Sequence, residues 1–195
     1  MNRVVHPIEQ ESFRRLRTRL DTSRFPQLTR AVVERVIHSA ADLDYADDLV
    51  MDEGDLVSAH AALHSGAAVV VDVEMVAAGI TRRDTVCRLR DARSGPGLTR
   101  SAHAVRLAYE DVGPGAIWVV GCAPTALEEL LTLDARPALV IGLPVGFVGA
   151  AESKAALRES GLPAVSNVSE RGGSAVAAAA LNALLYHPTS HEEKP

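Results

Sequence analysis

Five short, β-branched runs constrain this chain most: Val69-Val70-Val71, Val86 to Leu89, Ile117 to Val120, Leu139-Val140-Ile141 and Ala164-Val165. Most are followed by a small-residue loop and a helical pattern, and none alternates polar with apolar, as strands covered on both faces require. Strands alternating with helices imply crossovers and parallel pairing. The expectation is an α/β fold, a single domain (1–195) with a mainly parallel five-stranded sheet and helices on both faces. Upstream, helices are predicted from Ile8 to Leu20 and from Thr29 to Ala41, with Asp21 to Pro26 as a loop between them. Asp42 to Asp55 reads as an acidic connector, and a further helix runs from Leu56 to Ser65, stopped by Gly66. Tyr186 to Pro195 is polar, carries two prolines and reads as a frayed tail.

At 195 residues and 47% hydrophobic, the chain can supply one core. No apolar run reaches the roughly 18 residues that span a bilayer, and Met1 to Pro7 lacks a signal-peptide apolar region, so a cytoplasmic location is expected. Cys87 and Cys122 lack CxxC spacing and read as reduced thiols. A net charge of -5 opposes nucleic acid or an anionic membrane as partner. Only Lys154 and Lys194 are lysines, so nearly all positive charge is arginine, whose planar fork grips carboxylates, although arginine usage alone decides nothing. There is no GxSxG, Walker loop, complete GxGxxG or HExxH, which removes support from hydrolase, kinase and dehydrogenase readings.

Ligands of such sheets bind beyond the carboxyl ends of the strands, where several loops invite attention. Leu143 to Lys154, LPVGFVGAAESK, joins a buried-strand signal to a helix start through Gly146 and Gly149. Its glycines serve turn and packing, or they let an anion approach the first amides of the helix. Thr99-Arg100-Ser101 opens another helix, either as a capping threonine beside a solvated arginine or as a carboxylate seat. Thr125, after Gly121-Cys122-Ala123-Pro124, and Ser174, after Gly172-Gly173, stand at similar starts. Together these starts would surround one site with amide donors. On the second predicted helix Val32, Val33, Val36, Ile37 and Ala40 form an apolar stripe, and His38 projects nearly opposite its centre. His38 therefore faces solvent, a cleft or a second subunit. His60 and His64, four apart, have a spacing that can chelate a metal, but no glutamate follows the first and no third ligand is evident. No metal site is assigned. His103 lines the same mouth as Arg100 or faces water, and His6, His187 and His191 are terminal.

Several segments in order resemble the precorrin-8X methylmutase family of cobalamin biosynthesis: LPVGFVGAAESK, Glu74-Met75-Val76 with Gly79-Ile80-Thr81-Arg82, Thr99-Arg100-Ser101, Gly121 with Ala123 to Leu127, and Gly172-Gly173-Ser174 with Ala179 to Asn182. Ser12-Phe13 and His38 also fall where that family has comparable residues, so the resemblance spans roughly Ser12 to Leu185. It implies an isomerase that moves a methyl group from carbon 11 to carbon 12 of precorrin-8X, giving hydrogenobyrinic acid or its cobalt analogue. The substrate and product are anionic tetrapyrroles, and no cofactor, donor or metal enters. It further implies His38 as the catalytic proton donor, a homodimer, and a substrate cradle of Ser12, Thr81, Arg82, Arg100, Ser101, Cys122, Thr125, Gly146, Gly149, Lys154, Gly172, Gly173 and Ser174.

The chain departs from that family's pattern at three places. Cys122 stands where asparagine is common, Ser169-Glu170 replaces a glycine-arginine pair, and Asp91 to Leu98 is shorter than usual. Glu170 reverses charge where a substrate carboxylate would sit. These departures keep open a second reading, a diverged non-catalytic tetrapyrrole- or corrinoid-binding paralogue.

Overall fold

A computed structural model describes residues 5–188. The chain opens with α1 (Pro7–Arg19) and α2 (Gln27–Ala40), close to their predicted spans. Pro7 occupies a first-turn position where its missing N–H costs nothing, and His6 Nδ1 accepts from Ile8 N at 3.2 Å. Helix α2 starts earlier than predicted because its cap is remote: Glu53 accepts from the Leu28 and Thr29 amides at 2.9 and 2.8 Å. Most of its apolar stripe is covered, with Val32, Val33, Val36 and Ile37 buried and Ala40 partly so.

The predicted acidic connector is structured instead. It holds the short helix α3 (Tyr45–Asp48), strand β1 (Leu49–Met51) and the start of α4 (Glu53–His64), whose amides Asp52 caps. Then follow β2 (Val69–Val71), α5 (Glu74–Gly79), α6 (Arg100–Val112), β3 (Ile117–Val120), α7 (Pro124–Thr132), β4 (Leu139–Gly142), α8 (Ala150–Glu159), β5 (Ala164–Asn167) and α9 (Ser174–Tyr186). Among the described residues the sheet is five-stranded, in the order β1-β5-β4-β3-β2, with β2 to β5 parallel and β1 antiparallel to β5.

The strand count agrees with expectation, but one member differs. Val86 to Leu89 is not a strand: Val86 alone bridges to Val70, after which the chain turns at Arg88, whose carbonyl accepts from the Asp91 and Ala92 amides. The fifth strand is Leu49–Met51, which pairs Leu49 with Asn167 and Met51 with Val165. Two apolar layers flank the sheet. Ile117, Val119, Leu139 and Ile141 face α2, α4, α5 and α9, while Trp118, Val120 and Val140 face α6, α7 and α8. Each fully buried aliphatic side chain in these layers contributes roughly 1.5–3 kcal/mol of transfer free energy.

Candidate active site

The parallel strands end together, and the loops that leave them meet at one edge of the sheet. They bind one another in two pairs, the loop after β2 with that after β3 and the loop after β4 with that after β5. After β2, Asp72 is 3% exposed, and its carboxylate accepts from the amides of Gly121, Cys122 and Ala123 at 3.0, 2.8 and 2.8 Å. Burial pushes the Asp72 pKa up against the pull of these bonds. The turn before Thr125 therefore does not offer the amide donors expected of it, because a side chain of this chain already occupies them. Desolvation, with Asp72 nearby, raises the Cys122 thiol as well.

After β5, the loop 168–173 is held by two charged groups, the half-buried Asp48 and the buried Lys154. Asp48 accepts from the amides of Val168 and Ser169 and from the Ser169 hydroxyl and the Asn167 amide group, at 3.0, 2.8, 2.7 and 2.8 Å. Burial opposes its charge, but those bonds outweigh burial and lower its pKa. Lys154 is wholly buried and donates to Asn167 Oδ1 at 2.9 Å, to the Ser169 carbonyl, and to the Arg171 carbonyl at 2.7 Å. Desolvation brings its pKa down to about 8, with Asp48 pulling the other way. All three ammonium hydrogens thus have acceptors within the protein.

After β4, the loop 143–149 crosses the loop 168–173. Leu143 O accepts from Gly173 N at 2.9 Å, and Glu170 O accepts from Gly146 N at 3.2 Å. A Cβ on Gly172, at φ +154°, would lie 2.2 Å from Leu143 O, so only glycine permits this approach. The starts of α8 and α9 have no side-chain cap. Phe147 and Val148 of the crossing loop are 95% and 87% exposed.

His38 lies near the start of α9, where Ser39 Oγ donates to Ala175 O at 3.3 Å. It is half-buried, its Nδ1 is 2.7 Å from Ser12 Oγ, and its ring stacks on Phe13 at 5.0 Å. From Phe13 a series of cations and rings runs along α9: Arg35 lies over Phe13 and over Tyr186, and Arg82 also lies over Tyr186. Thr81 Oγ1 contacts the Tyr186 hydroxyl, and Thr81 N donates to Asn182 Oδ1 at 3.1 Å. Ser12, His38, Thr81 and Arg82 thus share one wall. Phe13, Arg35 and Tyr186 join them; Phe13 belongs to the Ser12-Phe13 pair of the family resemblance, whereas Arg35 and Tyr186 carried no recognisable motif.

Arg100, Ser101 and Thr125 sit elsewhere. They open α6 and α7 on the opposite face of the sheet, where Thr99 caps Ala102 N and its hydroxyl lies 2.8 Å from that of Thr125. Gly121 joins the two regions, since a Cβ there would lie 2.9 Å from Ser174 Cα. A cavity of about 150 Å³ adjoins His38, Ser12 and Arg15. Glu170 lines a different, open groove of about 730 Å³ with Asp44, Asp47 and Phe147, where Arg171 is engaged by Asp42 and Asp44.

No helix among the described residues is long and apolar enough to cross a membrane. Residues 7–187 match the profile of the family described as precorrin-8X methylmutase. The chain is 40% identical over 194 residues to the precorrin-8X methylmutase of a Sinorhizobium species, covering 91% of this chain and 92% of that one. It is also 40% identical over 182 residues to the cobalt-precorrin-8 methylmutase of Salmonella typhimurium, covering 87% of each. The solved precorrin-8X methyl mutase of Thermus thermophilus superposes with a TM-score of 0.82 at 36% identity, covering 91% of this chain and 93% of that one.

Proposed function

We propose, from the premise that the chain belongs to the precorrin-8X methylmutase family, that it isomerises precorrin-8X or its cobalt analogue by moving a methyl group from carbon 11 to carbon 12 of the macrocycle. The observation that carries this reading is His38, off its helix's apolar stripe and half-buried at a cavity, with Ser12 and Phe13 holding its ring.

A 1,5-shift within one molecule exchanges nothing with solvent or a second substrate. What the protein adds is a fixed pose, exclusion of water and a proton placed to favour the reactive tautomer. Imidazole can give and take that proton near neutral pH. The guanidinium of Arg82 on the His38 wall, and that of Arg100 at the start of α6, suit the acetate and propionate groups at the rim of the substrate. The uncapped starts of α8 and α9, with Gly149, Gly173 and Ser174, suit further carboxylates. Lys154 supports this cradle from beneath by fixing the loop that ends in Gly172 and Gly173.

The chain works as a homodimer on this reading. A cavity of about 150 Å³ is half the roughly 300 Å³ at which small-molecule pockets begin, so a macrocycle beside His38 needs a second wall. Two copies related by a twofold axis supply one. Its free cysteines suit a reducing cytoplasm.

The test is to add precorrin-8X to the purified protein and follow the visible spectrum. Conversion to the hydrogenobyrinic acid spectrum is expected of the native chain and not of His38→Ala. A native chain that binds hydrogenobyrinic acid but leaves precorrin-8X unchanged would establish the binding-protein reading instead.

A further inference from the structure

Three electron-pair donors converge beside the end of α9, one residue beyond Tyr186 of the His38 wall. His60 and His64 lie one turn apart on α4, and their Nε2 atoms are 3.1 Å from each other. The main-chain oxygen of His187 is 3.1 Å from the same His60 Nε2. The His60 ring meets that of His64 edge-on at 4.5 Å and that of His187 at 5.6 Å. Contacts between residues 60 and 187 place the end of α9 on α4.

Hydrogen bonding does not resolve this arrangement well. A neutral imidazole nitrogen offers either one N–H or one lone pair, in the plane of its ring. If His60 Nε2 donates to the His187 carbonyl, His64 Nε2 lies equally close to that hydrogen's nitrogen, at 3.1 Å. If His64 donates to His60 instead, the His60 lone pair faces the carbonyl oxygen at 3.1 Å. A cation in place of the shared hydrogen would satisfy all three donors at once.

The distances suit one. Two metal–nitrogen bonds of about 2.05 Å across a 3.1 Å gap subtend an angle of about 98°, between octahedral and tetrahedral values. Imidazole nitrogen favours zinc, nickel and copper over magnesium or calcium. Among the described residues no group of three His, Cys, Asp or Glu side chains could hold a metal, and the third donor beside the two imidazoles is the main-chain oxygen of His187. The nearby Glu53 carboxylate is engaged by the amides that open α2. A cavity of about 160 Å³ beside His60, His187 and Pro188 leaves room for water at the remaining coordination positions.

We infer that His60, His64 and the carbonyl oxygen of His187 form a binding site for a borderline divalent transition metal, next to the isomerase wall and sharing none of its residues. Bound there, the ion ties the end of α9 to α4. It stabilises the fold to the extent that the folded chain binds it better than the unfolded chain does.

The experiment is calorimetric titration of tag-free, chelator-treated protein with nickel chloride, repeated with zinc chloride. One equivalent per chain is expected, with affinity falling as pH drops through the imidazole range, because protons compete for both nitrogens. His64→Ala, at an exposed position, should fold normally and bind about tenfold or more weakly, and His60→Ala likewise. His187→Ala should bind like the native chain, since it keeps the main-chain oxygen, and His103→Ala serves as a control. Nickel should also raise the melting temperature of the native chain and not that of His64→Ala. Native affinity in the His60 and His64 variants would overturn the site. A loss in His187→Ala equal to that in His60→Ala would overturn the main-chain ligand.

Discussion

Ser12 Oγ and His38 Nδ1 stand 2.7 Å apart, although 26 residues separate them in the chain. The hydroxyl fixes the rotation of the imidazole, and Phe13, stacked within 25° of parallel, fixes its plane. A positioned acid of this kind contributes about 10²–10⁴ in rate, so His38→Ala should lower turnover by that factor while retaining product affinity. Ser12→Ala should cost less and should shift the pH profile of turnover, because it changes the ring's surroundings without removing the ring. Turnover in a spectral assay, with calorimetric binding of hydrogenobyrinic acid, checks both. Native turnover in His38→Ala would take the histidine out of the mechanism.

The small size of the cavity beside His38 bears on assembly. Light scattering at micromolar concentration should return the mass of two chains, and dilution that yields monomers should lower turnover in parallel. A fully active monomer would remove the shared site.

Lys154 separates a structural role from a ligand-binding one. In Lys154→Met, Asn167 Oδ1 and the carbonyls of Ser169 and Arg171 lose their common donor inside the protein. The expected loss is about 1–3 kcal/mol in denaturant unfolding, because Asn167 Oδ1 is left buried without a donor, while the two carbonyls keep the Asn167 amide group. An unchanged unfolding midpoint with weakened product binding would instead make Lys154 a substrate ligand.

Gly172→Ala should be among the least tolerated substitutions in the chain. Its Cβ would meet two backbone oxygens, those of Leu143 and Pro144, at 2.2 and 2.6 Å, and neither can move without parting the two loops. A loss of about 3 kcal/mol or more, read by thermal or chemical unfolding, is expected. Gly66→Ala provides the contrast: its Cβ would meet nothing within 4 Å, so only the strain of its positive φ remains.

Acid should act partly through Glu34. Burial favours its neutral form, yet hydrogen bonds from Arg17, Thr22 and Arg30 prevail and hold its pKa at about 2, against an ordinary 4.5. The folded chain therefore holds this proton less tightly than the unfolded chain. The stability it contributes is complete above about 4.5 and is lost as pH falls toward about 2. Glu34→Gln should lower stability by about 2 kcal/mol at neutral pH and flatten the pH dependence within that window. Parallel stability curves for native and variant would sink the assignment.

The alternation of strands and helices, and with it the fold class, was legible in the sequence, because β-branched runs, apolar stripes and caps act locally. Ile117 to Val120 and Leu139 to Ile141 are strands by composition alone, and Thr99 and Pro124 open helices through their own side chains. Leu49–Met51 was not legible, since three residues between acidic neighbours become a strand only when Val165 to Asn167 offers an edge. Val86 to Leu89 had the composition of a strand and lost the role when Arg88 turned the chain away.

The site divides along the same physical line. A position opposite an apolar stripe was enough to bring His38 out of the core, because helical periodicity is a property of neighbouring residues. That Asp72 occupies the amides of residues 121–123, that Lys154 faces inward to the loop 168–173, and that His60 meets a carbonyl 127 residues away were decided only in three dimensions. A buried polar group must find its partner wherever the fold brings one within about 3 Å, and a sequence states which groups need partners without stating which ones they meet.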